Sequence, residues 1–230
     1  MGKRVAFVHT VANLPAVFKG LTAELAPDLD IFHMVDESLL QNTIRDGELS
    51  KATIRRLVSY LALAQEAGAD LVMVTCSSVG PAAEIGRSMV DIPVLRVDDA
   101  MAEKALAGGR RIGVAATLST TLRPTAALLE SKASETGTAV KIVPKLCAGA
   151  FEALLAGDTA KHDHLVREGL RELIPNVDVV VLAQASMARI VDTLPDADKT
   201  RPIYSSPRLA VEQLARITAV DYETADLARR

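Results

Sequence analysis

Three segments of this chain recur in the same order at nearly one spacing. Lys3-Arg-Val-Ala-Phe-Val-His-Thr10 returns as Arg110-Arg-Ile-Gly-Val-Ala-Ala-Thr117, an offset of 107 residues. Ala69-Asp-Leu-Val-Met-Val-Thr-Cys-Ser-Ser78 returns as Val177-Asp-Val-Val-Val-Leu-Ala-Gln-Ala-Ser186, an offset of 108. Pro93-Val-Leu, with an Ala-rich helix behind it, returns as Pro202-Ile-Tyr at an offset of 109. Buried parallel strands resemble one another by chance, because all draw on Val, Ile and Leu. A shared order at a shared spacing favours an internal duplication instead. The expected fold is α/β, with two pseudo-symmetric Rossmann-like lobes of mostly parallel sheet facing each other across a cleft.

The chain in order supports that reading. Strands are expected at Lys3–Thr10, Leu29–Val35, Leu71–Thr75 and Ile92–Arg96. Helices are expected at 14–25 with Asn13 as cap, from Ser50 to Ala67 with Gly68 as stop, and at 98–106. Asp36-Glu-Ser-Leu-Leu reads as a loop. In the second half a helix from Thr121, a strand Val140–Pro144 and a helix from Asp158 to Leu173 follow the repeated first strand. The helix 207–217 is expected to return to the first lobe, with a polar tail fraying from Thr218. The expected lobes are residues 1–97 plus 206–230 and residues 98–205.

Composition excludes several classes. Aromatics are 3% and Trp is absent, which argues against base-stacking surfaces. A net charge of −3 and a pI near 5.8 give no basic field for nucleic acid or an anionic membrane. The N-terminal apolar run is too short for a signal peptide, and no stretch approaches a membrane span. Cys76 and Cys147 make neither a disulfide framework nor a zinc site, so a reducing cytoplasm is expected. No His/Cys/Asp/Glu cluster has metal spacing, and no P-loop or Gly-x-Gly-x-x-Gly follows a strand, so neither metal nor nucleotide is expected.

Ligands of parallel sheets bind at the carboxyl ends of the strands, which draws attention to Thr75-Cys-Ser-Ser78. A helix opens behind it at Val79-Gly-Pro-Ala, with Ser78 as the expected cap. Free N–H groups of a helix start favour an anion and lower a thiol's pKa. Cys76 is therefore expected to be a reactive thiolate beside a carboxylate site. The duplication pairs Thr10 with Thr117, Thr75 with Ala183, Cys76 with Gln184, Ser77 with Ala185 and Ser78 with Ser186.

Val-Thr-Cys-Ser-Ser, Ile-Gly-Val-Ala-Ala-Thr, Gly-Ala-Phe-Glu-Ala-Leu-Leu-Ala-Gly-Asp and Ser-Ser-Pro-Arg-Leu-Ala together resemble the aspartate/glutamate/hydantoin racemase superfamily over nearly the whole chain. The resemblance implies a cofactor-independent enzyme in which a cysteine from each lobe flanks the substrate's α-carbon. The first such cysteine corresponds to Cys76; the second position is Gln184, whose amide is neither acid nor base near neutral pH. The expected activity is thus one-thiol chemistry on a small carboxylate, an isomerisation or a decarboxylation. Cys76 and Gln184 are the catalytic candidates; Thr10, Asn13, Thr75, Ser77, Ser78, Thr117 and Ser186 are the substrate-binding ones. A homodimer or higher homo-oligomer is expected. The alternatives are an amino-acid or hydantoin racemase in which Cys147 or a water replaces the missing thiol, and a carboxylate-binding protein without turnover.

The remaining polar residues have plainer readings. His9 reads as a satisfied structural histidine and His33 as core-facing or paired. His162 and His164 point to different faces of one helix. Asp36-Glu37 and Asp98-Asp99 read as turn and cap residues. Cys147 reads as core or wall.

Overall fold

The computed structural model describes residues 2–227, with side chains as far as residue 219. The first half runs β1 (Arg4–His9), α1 (Leu14–Leu25), β2 (Asp30–Val35), α2 (Glu37–Asp46), α3 (Lys51–Glu66), β3 (Leu71–Val74), α4 (Gly80–Gly86) and β4 (Val94–Arg96). The second runs α5 (Asp99–Gly108), β5 (Arg111–Ala116), α6 (Ser119–Glu135), β6 (Lys141–Leu146), α7 (Ala150–Leu155), α8 (Thr159–Leu173), β7 (Val179–Leu182), α9 (Ala188–Thr193), β8 (Ile203–Ser205) and α10 (Ser206–Leu227).

Two parallel four-stranded sheets result, ordered β2-β1-β3-β4 and β6-β5-β7-β8. The same strand order in both is the duplication written in topology. It extends to side chains. The Asp70 carboxylate accepts the Arg4 N–H at 2.7 Å, and its repeat Asp178 accepts those of Arg110 and Arg111 at 2.9 and 2.8 Å. Each aspartate thereby ties the start of a central strand to its neighbour. Those bonds hold the Asp178 carboxyl below its ordinary pKa.

The central strands are apolar because helices cover both of their faces. β3 and β7 are buried throughout, and β1 and β5 after their first residue. Leu57, Leu61 and Ala64 of α3 pack on one side of the first sheet. On the other, Ala210, Val211 and Leu214 of α10 meet Val5, Phe7 and Met73, so the last helix does return to the first lobe. Arg208 to Glu24 at 2.7 and 2.8 Å ties it to α1. The fraying expected from Thr218 concerns side chains that from 220 onward lie outside the described residues; the backbone continues as helix to Leu227.

Helix ends follow local chemistry. Ser50 caps α3 by accepting the Thr53 N–H at 3.2 Å, Gly68 adopts φ 83° behind that helix, and Asp158 caps α8 through the Lys161 N–H at 2.9 Å. One expectation fails: the segment after β2 is not a loop. Asp36 accepts the Ser38 N–H at 3.0 Å and starts α2, which Gly47 ends at φ 71°. Ser38-Leu-Leu lies behind that cap as its first turns, a helix start hidden by the brevity of the apolar stripe.

Candidate active site

β3 stops at Val74, and the Thr75 N–H reaches Val8 O at 3.0 Å as the last ladder bond. Cys76 is still extended, at φ −134° and ψ 116°. Ser77–Val79 then form one 3₁₀ turn before the seven-residue α4. Ser78 does not cap that helix. Its hydroxyl pairs with the Thr121 hydroxyl at 2.7 Å, in the first turn of α6. This buried bond joins the cysteine turn of the first lobe to the second.

The Cys76 sulfur packs against the first-lobe core. Desolvation raises its pKa, because a thiolate loses more hydration than a thiol. The Thr10 and Ser78 hydroxyls and the Val79 and Ser78 N–H groups oppose that shift without cancelling it. The expected lowered pKa is therefore corrected: desolvation raises it and favours the thiol. That desolvation depends on packing remote in sequence. Thr10 Oγ1 is itself buried and has no hydrogen-bond partner among the described residues.

The mirror position repeats this pairing with different chemistry. Gln184 Oε1 accepts the Thr117 N–H at 2.6 Å and the Thr117 hydroxyl at 3.0 Å. Cys76 and Gln184 both stand extended at the end of their strands, at φ −134° and −132°, but the Thr10 hydroxyl, unlike that of Thr117, has no hydrogen-bond partner among the described residues. A backbone N–H can only donate, so the atom facing it is the amide oxygen and the amide cannot be flipped. Nε2 and its two donors are thus turned away from Thr117. Gln184 is half-buried, and Nε2 makes no hydrogen bond to the described residues. Thr117 was expected to hold carboxylate; its N–H and hydroxyl are instead committed to Gln184.

The other candidates divide. Ser77 is buried within the turn. Ser186 lies in the matching 3₁₀ turn 185–187 and caps no helix, since α9 starts behind Met187. Thr75 is drawn away from the site: its hydroxyl bonds Val8 O at 3.1 Å and His9 Nδ1 at 2.8 Å. Asn13 is exposed and makes no side-chain cap bond. Cys147 is core: it packs with Val166 and Leu170 of α8, and burial pushes its thiol up to about 11.

His9 is fully buried and bonded at both ring nitrogens, to Thr75 and to His33 Nδ1 at 2.9 Å. The Thr75 hydroxyl donates to Val8 O, so His9 Nδ1–H donates to Thr75 and His9 Nε2 accepts from His33. Burial with the second ring beside it lowers the His9 pKa to about 3. His162 is buried and His164 exposed, on different faces as expected.

Asp98 and Asp99 are not simple caps. Asp98 is fully buried and receives Arg96 Nε and Nη2 at 2.9 and 2.8 Å. Asp99 receives the Arg96 N–H and Arg87 Nη2, each at 3.0 Å. The alternation Arg96-Val-Asp98 was the available signal: residues two apart at a strand end share a side.

The fold is that of a two-lobed α/β protein in which Cys76 and Gln184 occupy equivalent positions behind β3 and β7. The family model described as Asp/Glu/Hydantoin racemase matches residues 10–214, and the chain belongs to that family. A glutamate racemase isoform from Bacillus anthracis is similar in structure at 17% identity and a TM-score of 0.73, covering 95% of this chain and 82% of that one. A glutamate racemase from Francisella tularensis in complex with D-glutamate gives 14% identity and a TM-score of 0.74, over 96% and 82%. An allantoin racemase from Klebsiella pneumoniae gives 17% and 0.67, over 96% and 89%. Comparison with curated proteins gave no sequence match. At these identities the likeness establishes the fold.

Proposed function

We propose that the protein is an isomerase of this family that transfers a proton on one face of a small carboxylate through Cys76, without a second thiol and without a cofactor. The observation that supports the reading is the pair of unlike residues at equivalent positions: Cys76 follows β3 and Gln184, bonded to Thr117, follows β7. One position holds a proton carrier and the other only hydrogen-bond donors.

A raised pKa suits delivery. The Cys76 thiol gives its proton to the carbon of an enediolate-like species, and the thiolate left behind is received by Thr10, Ser78 and two N–H groups. In the reverse direction that thiolate removes the proton. Gln184 Nε2, with Ser186 in the adjoining turn, faces the oxygen on which charge develops. The relatives named above are racemases, which favours an isomerase over a decarboxylase.

The raised thiol pKa also favours a second reading, a carboxylate-binding protein that does not turn over. Incubating a panel of small carboxylates in deuterium oxide separates them. Cys76-dependent exchange of a carbon-bound proton supports the isomerase. Carboxylate binding that persists in Cys76→Ala, with no exchange by the wild type, supports the binder.

A further inference from the structure

Arg96 ends β4 in register with Val74, on the strand beside the one that delivers Cys76. Its guanidinium is 2% exposed, forked onto the fully buried Asp98, and bonded through Nη1 to Glu84 of α4. A buried ion pair of this kind is seldom the most stable filling for its space. Its neighbour suggests another role. A Cβ built on Gly80 would lie 2.6 Å from both Nε and Nη2, so the guanidinium lies directly against the Gly80 backbone. Gly80 has φ −51°, an ordinary helical value, so glycine is needed here for space and not for conformation. The Gly80 N–H also closes the 3₁₀ turn by bonding Ser77 O. Arg96 thus holds α4 at two points one turn apart, Gly80 by contact and Glu84 by its charge.

We propose that Arg96, fixed by Asp98 and Glu84, is a positioning residue: its guanidinium is the floor that seats Gly80 and so fixes the Ser77–Val79 turn that follows Cys76 and sets the surroundings of its sulfur. The proposal rests on Cys76 being the proton carrier. Its test reads the thiol directly, so it can fail while turnover stands, and the reverse.

The measurement is the rate of Cys76 alkylation by iodoacetamide against pH, the thiolate displacing iodide, in a Cys147→Ser background with melting temperatures alongside. Gly80→Ala drives a methyl into a guanidinium that cannot yield. The expected result is alkylation about tenfold slower at fixed pH, the change one unit of thiol pKa makes. Gly86→Ala is the packing control, since its methyl meets Leu61 Cδ1 elsewhere on α4. It is expected to lower the melting temperature and leave the profile in place. Arg96→Lys cannot reproduce the fork and frees space over Gly80. Combined with Gly80→Ala it is expected to return the profile part of the way to wild type. A wild-type profile in Gly80→Ala overturns the proposal, as does an equal shift in Gly86→Ala. If Arg96→Lys does not fold, the two glycine variants decide alone.

Discussion

Replacing Gln184 by Met keeps a side chain of similar length and removes both the acceptor and the donor of the amide. Thr117 is 4% exposed, so its N–H, now bonded at 2.6 Å, is left without a partner. An unsatisfied buried donor costs about 1–3 kcal/mol. The Thr117 hydroxyl, at 3.0 Å, can rotate to another acceptor and adds less than about 1 kcal/mol. Gln184 is half-buried, so apolar gain at Met offsets little. The expected loss is about 2 kcal/mol, or roughly 4–8 °C in melting temperature for a chain of this size. Gln184→Glu keeps an oxygen for both Thr117 donors and strengthens those bonds by its charge, so stability is expected to stay near wild type. Both variants lose the Nε2 donors. Urea midpoints measure the acceptor role. The ratio of Cys76 alkylation by iodoacetate to that by iodoacetamide, in a Cys147→Ser background, measures the donor role, because only iodoacetate carries a carboxylate. The ratio is expected to fall in Met and further in Glu. A Met variant as stable as wild type, or a Glu variant that keeps the iodoacetate preference, refutes the reasoning.

Thr10→Val removes a buried hydroxyl that has no hydrogen-bond partner among the described residues and that favours the Cys76 thiolate; stability is expected to hold while alkylation of Cys76 slows and its profile moves to higher pH. The His9 pKa of about 3 lies below the ordinary 6.5, so the unfolded chain takes up the proton first and stability falls as pH drops from 6.5 toward 3. The loss is about 2–3 kcal/mol by pH ~4.5, read from urea midpoints against pH, and His9→Gln should flatten that slope. A slope unchanged in His9→Gln assigns the acid sensitivity elsewhere. Cys147→Ala should leave turnover intact, whereas Gly169→Ala, whose methyl falls 2.5 Å from Cys147 Sγ, should lower the melting temperature. Loss of turnover in Cys147→Ala with retained fold would place that thiol in the reaction.

The strands and their repetition were legible because a doubly covered parallel strand must be apolar along its length, and the chain writes that pattern twice; the order within each sheet comes from the structure. The bonds that Asp70 and Asp178 make to the starts of β1 and β5 come from the structure. The equivalent positions of Cys76 and Gln184 could be read from the offsets. The Cys76 pKa could not. Its sign depends on desolvation by residues far along the chain, against donors that are all local. Thr75 and Thr117 fell to a related limit: a hydroxyl at a strand end can turn to the cleft or to a neighbour, and His9 and Gln184, both distant in sequence, settle which. Arg96 was missed because a lone arginine at a strand end reads as surface until Asp98 and Glu84 are seen around it.

The most direct measurement follows the α-proton of D- and L-aspartate and D- and L-glutamate in deuterium oxide with purified wild-type protein and Cys76→Ala. Racemisation needs a proton donor on the face opposite the base, and removal of such an acid costs about 10²–10⁴ in rate. With Gln184 on that face, exchange is expected to be slow at most, to retain configuration, and to vanish in Cys76→Ala. Rapid interconversion of the enantiomers that disappears in Cys76→Ala would contradict the account, because it would require a second proton carrier in the wall that Gln184 occupies.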